Sequence, residues 1–275
     1  MFKIPARDRY WEIDQPQIMG IINATADSFY EESRIKTTDL VLEKVRQFIQ
    51  EGASVIDLGA QSTRPGANLV TAQEEMDNLL PLVEAISDQF PSLYISIDTF
   101  HSQVALAALN AGAHIINDIS TGAYDPNMFK IIADQHAGYI GMHLTGNFEN
   151  MHQIPTNRVD IIETIFEYFI QKKKELANVG VYNWVVDPGF GFGKSIQENF
   201  TIVKCLSSFK ALNLPILLGA SRKSSIYKTL QITPQEALNG TTVVNTVGIL
   251  NGASVLRVHD VKEAKESLTL LSMLK

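Results

Sequence analysis

A short apolar run, Trp184-Val185-Val186, leads straight into a carboxylate, Asp187, and then into Pro188-Gly189-Phe190-Gly191-Phe192-Gly193-Lys194. Proline cannot donate to a sheet ladder, so a strand should stop at Pro188. The three glycines open backbone conformations closed to other residues. Ser195 suits the cap of a following helix, predicted over 195–209. Strand, acid, glycine-rich turn and helix start together make the layout of a ligand site at the carboxyl end of a parallel strand. Two nucleotide-binding readings fail on register. A phosphate-binding loop needs glycine five residues before Gly193-Lys194-Ser195, where this chain has Pro188, and a dinucleotide fingerprint starting at Gly189 needs glycine or alanine where Lys194 stands.

The same arrangement recurs along the chain. Asn23 follows the apolar run 18–22, Asp57 follows 55–56, Asp98 follows 94–97 and Asn117-Asp118 follow 115–116. His143 follows 139–142, Lys223 lies shortly after 215–218, and Arg257 with His259 follow 255–256. Asp98, Asn117 and Asp187 offer acceptors to a flat heterocycle rich in N–H groups, since a carboxylate takes two parallel bonds from an amidine-like edge. Lys223 and Arg257 can donate to ring oxygen or nitrogen, and Arg257 can also stack on a ring face. Phe190, Phe192 and Met142 supply apolar walls. Arg64, His259, Asn23 and Thr63 form a set suited to phosphate or diphosphate. Asp57 is read as a brace of the site's mouth rather than a part of it. No His/Cys/Asp group has structural-metal spacing, and no Ser/His/Asp arrangement stands out.

These residues need elements to hold them. Helices are predicted over 40–50, 71–90, 101–111, 126–136, 159–178, 195–209, 233–250 and 261–274. Eight short strands alternating with eight helices predict a single (β/α)8 barrel over residues 1–275, with a short N-terminal lead-in. An open doubly wound sheet is the second choice. In a barrel the site lies at the carboxyl ends of the strands, where these polar residues fall.

Composition narrows the partners. The chain has 275 residues, 45% of them hydrophobic, enough for one large core. A net charge of -7 argues against nucleic acid, because phosphate binding wants a basic face. The single cysteine, Cys205, forms no internal disulfide and reads as a packed thiol. The first residues are broken by charges and Pro5, unlike a signal peptide. No apolar run reaches membrane-spanning length. A cytoplasmic location is expected.

From end to end the chain resembles the dihydropteroate synthase family. The resemblance is carried by Ile18-Met19-Gly20-Ile21-Ile22-Asn23 with Asp27-Ser28-Phe29, Ser62-Thr63-Arg64-Pro65-Gly66, Ser96-Ile97-Asp98-Thr99 and Ile116-Asn117-Asp118-Ile119. It continues in Met142-His143, the stretch from Asp187 to Lys194, Ser221-Arg222-Lys223-Ser224 and Arg257-Val258-His259-Asp260. It implies condensation of a dihydropterin methyl diphosphate with p-aminobenzoate, giving dihydropteroate and diphosphate. It implies a pterin bed of Asp98, Asn117, Asp187, Lys223, Arg257, Met142 and Phe192. Diphosphate would meet Thr63, Arg64, His259 and Asn23, with Asn23 a ligand of Mg²⁺. The p-aminobenzoate would lie among Phe29, Pro65, Phe192, Lys223 and Ser224. The partners implied are small molecules and a second copy of the chain. The first loop departs from the family pattern, with Ala24-Thr25-Ala26 where Val-Thr-Pro is usual, and Gln61 stands where glutamate is usual. Two alternatives are a methyltetrahydrofolate-dependent methyltransferase barrel and a catalytically silent pterin-binding relative.

Overall fold

The computed structural model describes residues 1–24, 31–61, 70–146 and 160–274, with backbone alone over 31–37. An antiparallel hairpin opens the chain, β1 (Phe2–Ala6) paired with β2 (Arg9–Ile13). Eight parallel strands follow: β3 (Gln17–Asn23), β4 (Val55–Gly59), β5 (Tyr94–Asp98), β6 (Ile115–Asp118), β7 (Gly138–Met142), β8 (Val185–Asp187), β9 (Leu217–Leu218) and β10 (Val255–Val258). Their spatial order is β8-β7-β6-β5-β4-β3-β10-β9, and a parallel bridge between Val186 and Ile216 joins the two ends. The sheet closes as a (β/α)8 barrel, as the alternation predicts.

The helices are α1 (Glu31–Glu51), α2 (Ala72–Gln89), α3 (Ser102–Asn110), α4 (Met128–Asp134), α5 (Ile161–Asn178), α6 (Ile196–Lys204), α7 (Ser224–Leu230), α8 (Leu238–Leu250) and α9 (Val261–Ser272). Local chemistry sets several of their starts. Thr71 and Ser195 each accept from the backbone N–H three residues on, and Glu74 and Glu198 reach back in return, so both helices open on a capping box.

Two departures from the sequence reading have local causes. The helix expected over 195–209 ends at Lys204 and passes into a 3-10 helix, Leu206–Leu212. Leu206, Phe209 and Leu212 are its buried residues; their spacing of three matches a 3-10 turn, not an α-helix. Cys205, a half-buried free thiol, sits at the junction. The helix α7 was not expected. Its seven residues, Ser-Ser-Ile-Tyr-Lys-Thr-Leu, are too short for a visible periodicity.

A period of two along each strand stacks the barrel interior in layers. The lower interior is apolar: Met19, Val55, Ile115, Ile140, Val185, Leu217 and Val255 are buried there, and the half-buried Tyr94 of β5 packs against them. Ile4, Ala6, Trp11 and Ile13 pack against it, so the lead-in is a hairpin that plugs the amino-terminal end. Side chains of opposite parity, such as Ile56, Ile97, Ile116 and Val186, join the outer core under the helices. Two residues above the plug the interior changes character, because the next step of the same period holds Asp57, Ser96, Asn117, Met142, Asp187 and Arg257. The site is built on that step.

Candidate functional site

Burial forces the polar layer to pair internally, since an unpaired buried charge is costly. Asp57 is fully buried and takes three donors: Ser96 Oγ at 2.5 Å, Asn117 Nδ2 at 3.0 Å and Arg257 Nε at 2.6 Å. Arg257 also donates Nη2 to Asp98 Oδ2 at 2.6 Å. One guanidinium on β10 thus spans β3 and binds the acids of β4 and β5, a use of the planar fork that lysine could not reproduce. Burial alone would lower the Arg257 pKa, but Asp57 and Asp98 drive it upward. Asp98 is 16% exposed through the mouth, and burial on its other sides raises its pKa against the pull of Arg257. The bond to Asp57 also orients Asn117: its NH2 faces the acid, so its carbonyl oxygen is the end turned elsewhere.

The opposite wall comes from the glycine-rich loop. Asp187 ends β8, and its Oδ1 accepts from Gly189 N–H at 2.7 Å. Burial raises the Asp187 pKa, and Lys223 opposes that shift. Lys223 is not on a strand end. It caps α7, donates to the Phe190 carbonyl and lies 4.2 Å above the Phe192 ring. Burial pushes its pKa down to about 8, with Asp187 pulling the other way. Phe192 and Met142 form an apolar wall with Phe100 and Ile119. The loop needs its glycines: at Gly189 φ is +73°, and a Cβ there would sit 2.0 Å from the His143 carbonyl. Asn199, fully buried on α6, ties the loop down by accepting from Gly191 N–H and donating to Ser225 Oγ.

Asn23 ends β3 and His259 follows β10; both are exposed at the rim of neighbouring strands. The His259 Nδ1 lies 3.1 Å from Ser221 Oγ, and partial burial, then the Arg257 cation, lowers its pKa. Behind it Arg222 grips Asp260 with two bonds of 2.9 and 2.7 Å, pinning the β9–α7 loop to the end of β10. Ser224 opens α7 directly after Lys223.

Asp98, Asn117, Asp187, Lys223, Arg257, Met142 and Phe192 therefore share one mouth, with Asn23 and His259 on its rim. Thr63, Arg64, Pro65 and Phe29 lie outside the described residues. Phe190 departs from its expected place: its ring packs in the outer core, 6.3 Å from Phe200, and it serves the mouth through its carbonyl. His143 also turns outward, edge-on to Tyr168 of α5 at 5.0 Å. The reading of Asp57 as a mere brace understates it, because Asp57 anchors both Arg257 and Asn117. Its signal was present in Val55-Ile56-Asp57-Leu58-Gly59, an acid inside an otherwise apolar strand. Phe100 and Ile119 gave no such signal.

Comparison with known proteins agrees with this geometry. The family model described as "Pterin binding enzyme" matches residues 19–259. Dihydropteroate synthase of Escherichia coli (strain K12) is 35% identical over 98% of this chain and 95% of its own length. The crystal structure of the Yersinia pestis dihydropteroate synthase with a sulfonamide drug superposes with a TM-score of 0.91 at 34% identity, over 99% of both chains. That of the Xanthomonas albilineans enzyme with 4-aminobenzoic acid superposes with a TM-score of 0.89 at 30% identity, over 99% of this chain and 97% of that one. With its motifs in order around one barrel mouth, the chain belongs to the dihydropteroate synthase family of pterin-binding enzymes.

Proposed function

We propose that this mouth binds a dihydropterin methyl diphosphate and condenses it with p-aminobenzoate. The observation that carries the reading is the polar layer itself. Acids and an oriented amide on β5, β6 and β8 face a lysine and an arginine, above a sealed apolar plug. Asp187 and Asn117 accept from the amino-pyrimidine edge of the pterin, and Lys223 donates to its ring oxygen or nitrogen. Arg257, held by Asp57 and Asp98, lies against the ring. In the reaction the bond from the pterin methylene to diphosphate breaks, its electron pair leaving with the diphosphate. The arylamine nitrogen then forms the new C–N bond and releases a proton. Acids fixed around the pterin stabilise the cationic methylene, and water-poor walls of Met142 and Phe192 strengthen that attraction.

Asn23, Thr63, Arg64 and His259 are assigned to the diphosphate, and Phe29, Pro65, Phe192, Lys223 and Ser224 to the p-aminobenzoate. Mg²⁺ fits the donor set. The Asn23 side-chain oxygen is a hard ligand at the rim, and among the described residues no group of three or more His, Cys, Asp or Glu could cage a metal. One protein oxygen plus substrate phosphates and water is how this ion is often held. When bound, it would neutralise charge on the departing diphosphate. A second copy of the chain is part of the proposal, because Val243, Val247 and Leu250 expose one apolar face of α8, 56%, 39% and 64% accessible. A cytoplasmic location completes it; among the described residues no helix is long and apolar enough to cross a membrane.

The deciding experiment incubates the protein with dihydropterin methyl diphosphate, p-aminobenzoate and Mg²⁺. Dihydropteroate and diphosphate appearing in equal amounts is the expected result. Pterin binding without turnover would make the chain a silent relative. Sedimentation of a monomer at micromolar concentration would remove the dimer.

A further inference from the structure

Lys194 closes the glycine-rich loop, and its side chain turns back across it. Its Nζ donates to three backbone carbonyls: Gly189 at 2.9 Å, His143 at 3.0 Å and Phe192 at 3.1 Å. An ammonium group has three N–H donors and no acceptor. Three carbonyl oxygens converging on one small cation is also how a protein replaces the hydration shell of a free monovalent ion.

The position of these carbonyls gives the contact its consequence. Gly189 and Phe192 bracket Phe190, whose carbonyl takes the Lys223 ammonium. The Gly189 N–H holds Asp187, and His143 adjoins Met142 at the end of β7. One cation therefore fastens the segment on which Asp187, Lys223 and Phe192 all depend. Without it, three carbonyl dipoles would point their negative ends at one another in a partly buried place.

We propose that Lys194 is a positioning residue that acts as a built-in monovalent cation, and that the three carbonyls around it are a latent site for free ammonium or potassium. The inference rests on the pterin reading of the mouth only for its effect on substrate; the cation site stands on its own geometry.

The test compares Lys194→Ala, which vacates the site, with Lys194→Met, whose uncharged chain fills most of the same space. Pterin affinity, melting temperature, KM and kcat are read in choline, ammonium and potassium chloride at constant ionic strength. In choline both variants should bind pterin about tenfold or more weakly, with the larger change in KM for pterin. Ammonium or potassium should restore Lys194→Ala saturably, leave Lys194→Met impaired and make no difference to the wild type. A Lys194→Ala protein that unfolds in choline and folds in ammonium supports the same conclusion. A variant unfolded in every salt overturns it, as does a loss that neither ammonium nor potassium repairs, one that they repair equally in Lys194→Met, or pterin affinity in choline within about threefold of wild type. Wild type that fails to bind pterin would sink the substrate assignment instead, while cation-specific melting of Lys194→Ala would still report the site.

Discussion

Replacing Asp57 by asparagine tests the polar layer at its root. Asp57→Asn keeps the shape but removes a charge and turns one acceptor into an NH2 group. Asp57 is fully buried and accepts from Ser96, Asn117 and Arg257. The NH2 group fits best on the Ser96 side, where the hydroxyl can turn to accept it, so Asn117 and Arg257 keep an oxygen partner that has lost its charge. Losing a charged hydrogen bond costs ~1.5–3 kcal/mol. Breaking a buried ion pair outright costs ~3–5 kcal/mol, but Arg257 keeps Asp98, so that range is an upper bound. About 2–4 kcal/mol of stability should be lost, which for a chain of this size lowers the melting temperature by roughly 5–15 °C. The functional loss comes through Asn117. Held by a neutral oxygen instead of the acid, its amide is less firmly fixed with the carbonyl toward the ligand, weakening pterin about tenfold or more. Calorimetric titration with the pterin and thermal melts at one pH measure both. A variant that melts within about two degrees of wild type and binds pterin within about threefold would refute the reasoning.

Glu75 on α2 is 2% exposed, and burial raises its pKa to about 8, with the Thr99 side chain opposing and Asp98 adding to the rise. Its folded pKa lies above the unfolded value, so the stability it contributes is full below about pH 4.5 and is lost as pH climbs through about 8, by at most ~1.4 kcal/mol per pH unit. Relative to Glu75→Gln, wild type should lose urea resistance between those values; parallel curves would show that Glu75 does not titrate there. Lys223, lowered to about 8, should lose its ammonium above that pH, so pterin affinity should fall from pH 7 to pH 9.5 in wild type and stay level in Lys223→Arg. A level wild-type profile would mean that Lys223 does not donate to the pterin. Gly189→Ala and Gly180→Ala both force alanine to positive φ, but only the first sets a Cβ against a backbone carbonyl, while the second meets nothing within 4 Å. Gly189→Ala should therefore destabilise by more than the ~1–3 kcal/mol of backbone strain alone; equal melting temperatures would show that the loop shifts to admit a side chain.

Much of the architecture was legible because it is local. Each apolar run with a polar residue at its carboxyl end marks a strand and its place at the mouth, and Thr71 and Ser195 cap their own helices. The classes of chemistry followed too, since acids, amides and bases at or just beyond the ends of alternating strands meet wherever a barrel closes. What closure decides is another matter. Parity along each strand determines which side chains enter the lumen, so Asp187 faces inward while Val186 faces the helices, and His143 turns away from the site it adjoins. The Arg257–Asp57 pair joins residues 200 positions apart across an intervening strand. Lys194 and Phe190 act on the mouth through the backbone, which leaves no trace in side-chain pattern. Residue types and their order could therefore name what chemistry this chain carries. Only the register between strands, set when the sheet closes on itself, decides which of those groups touch.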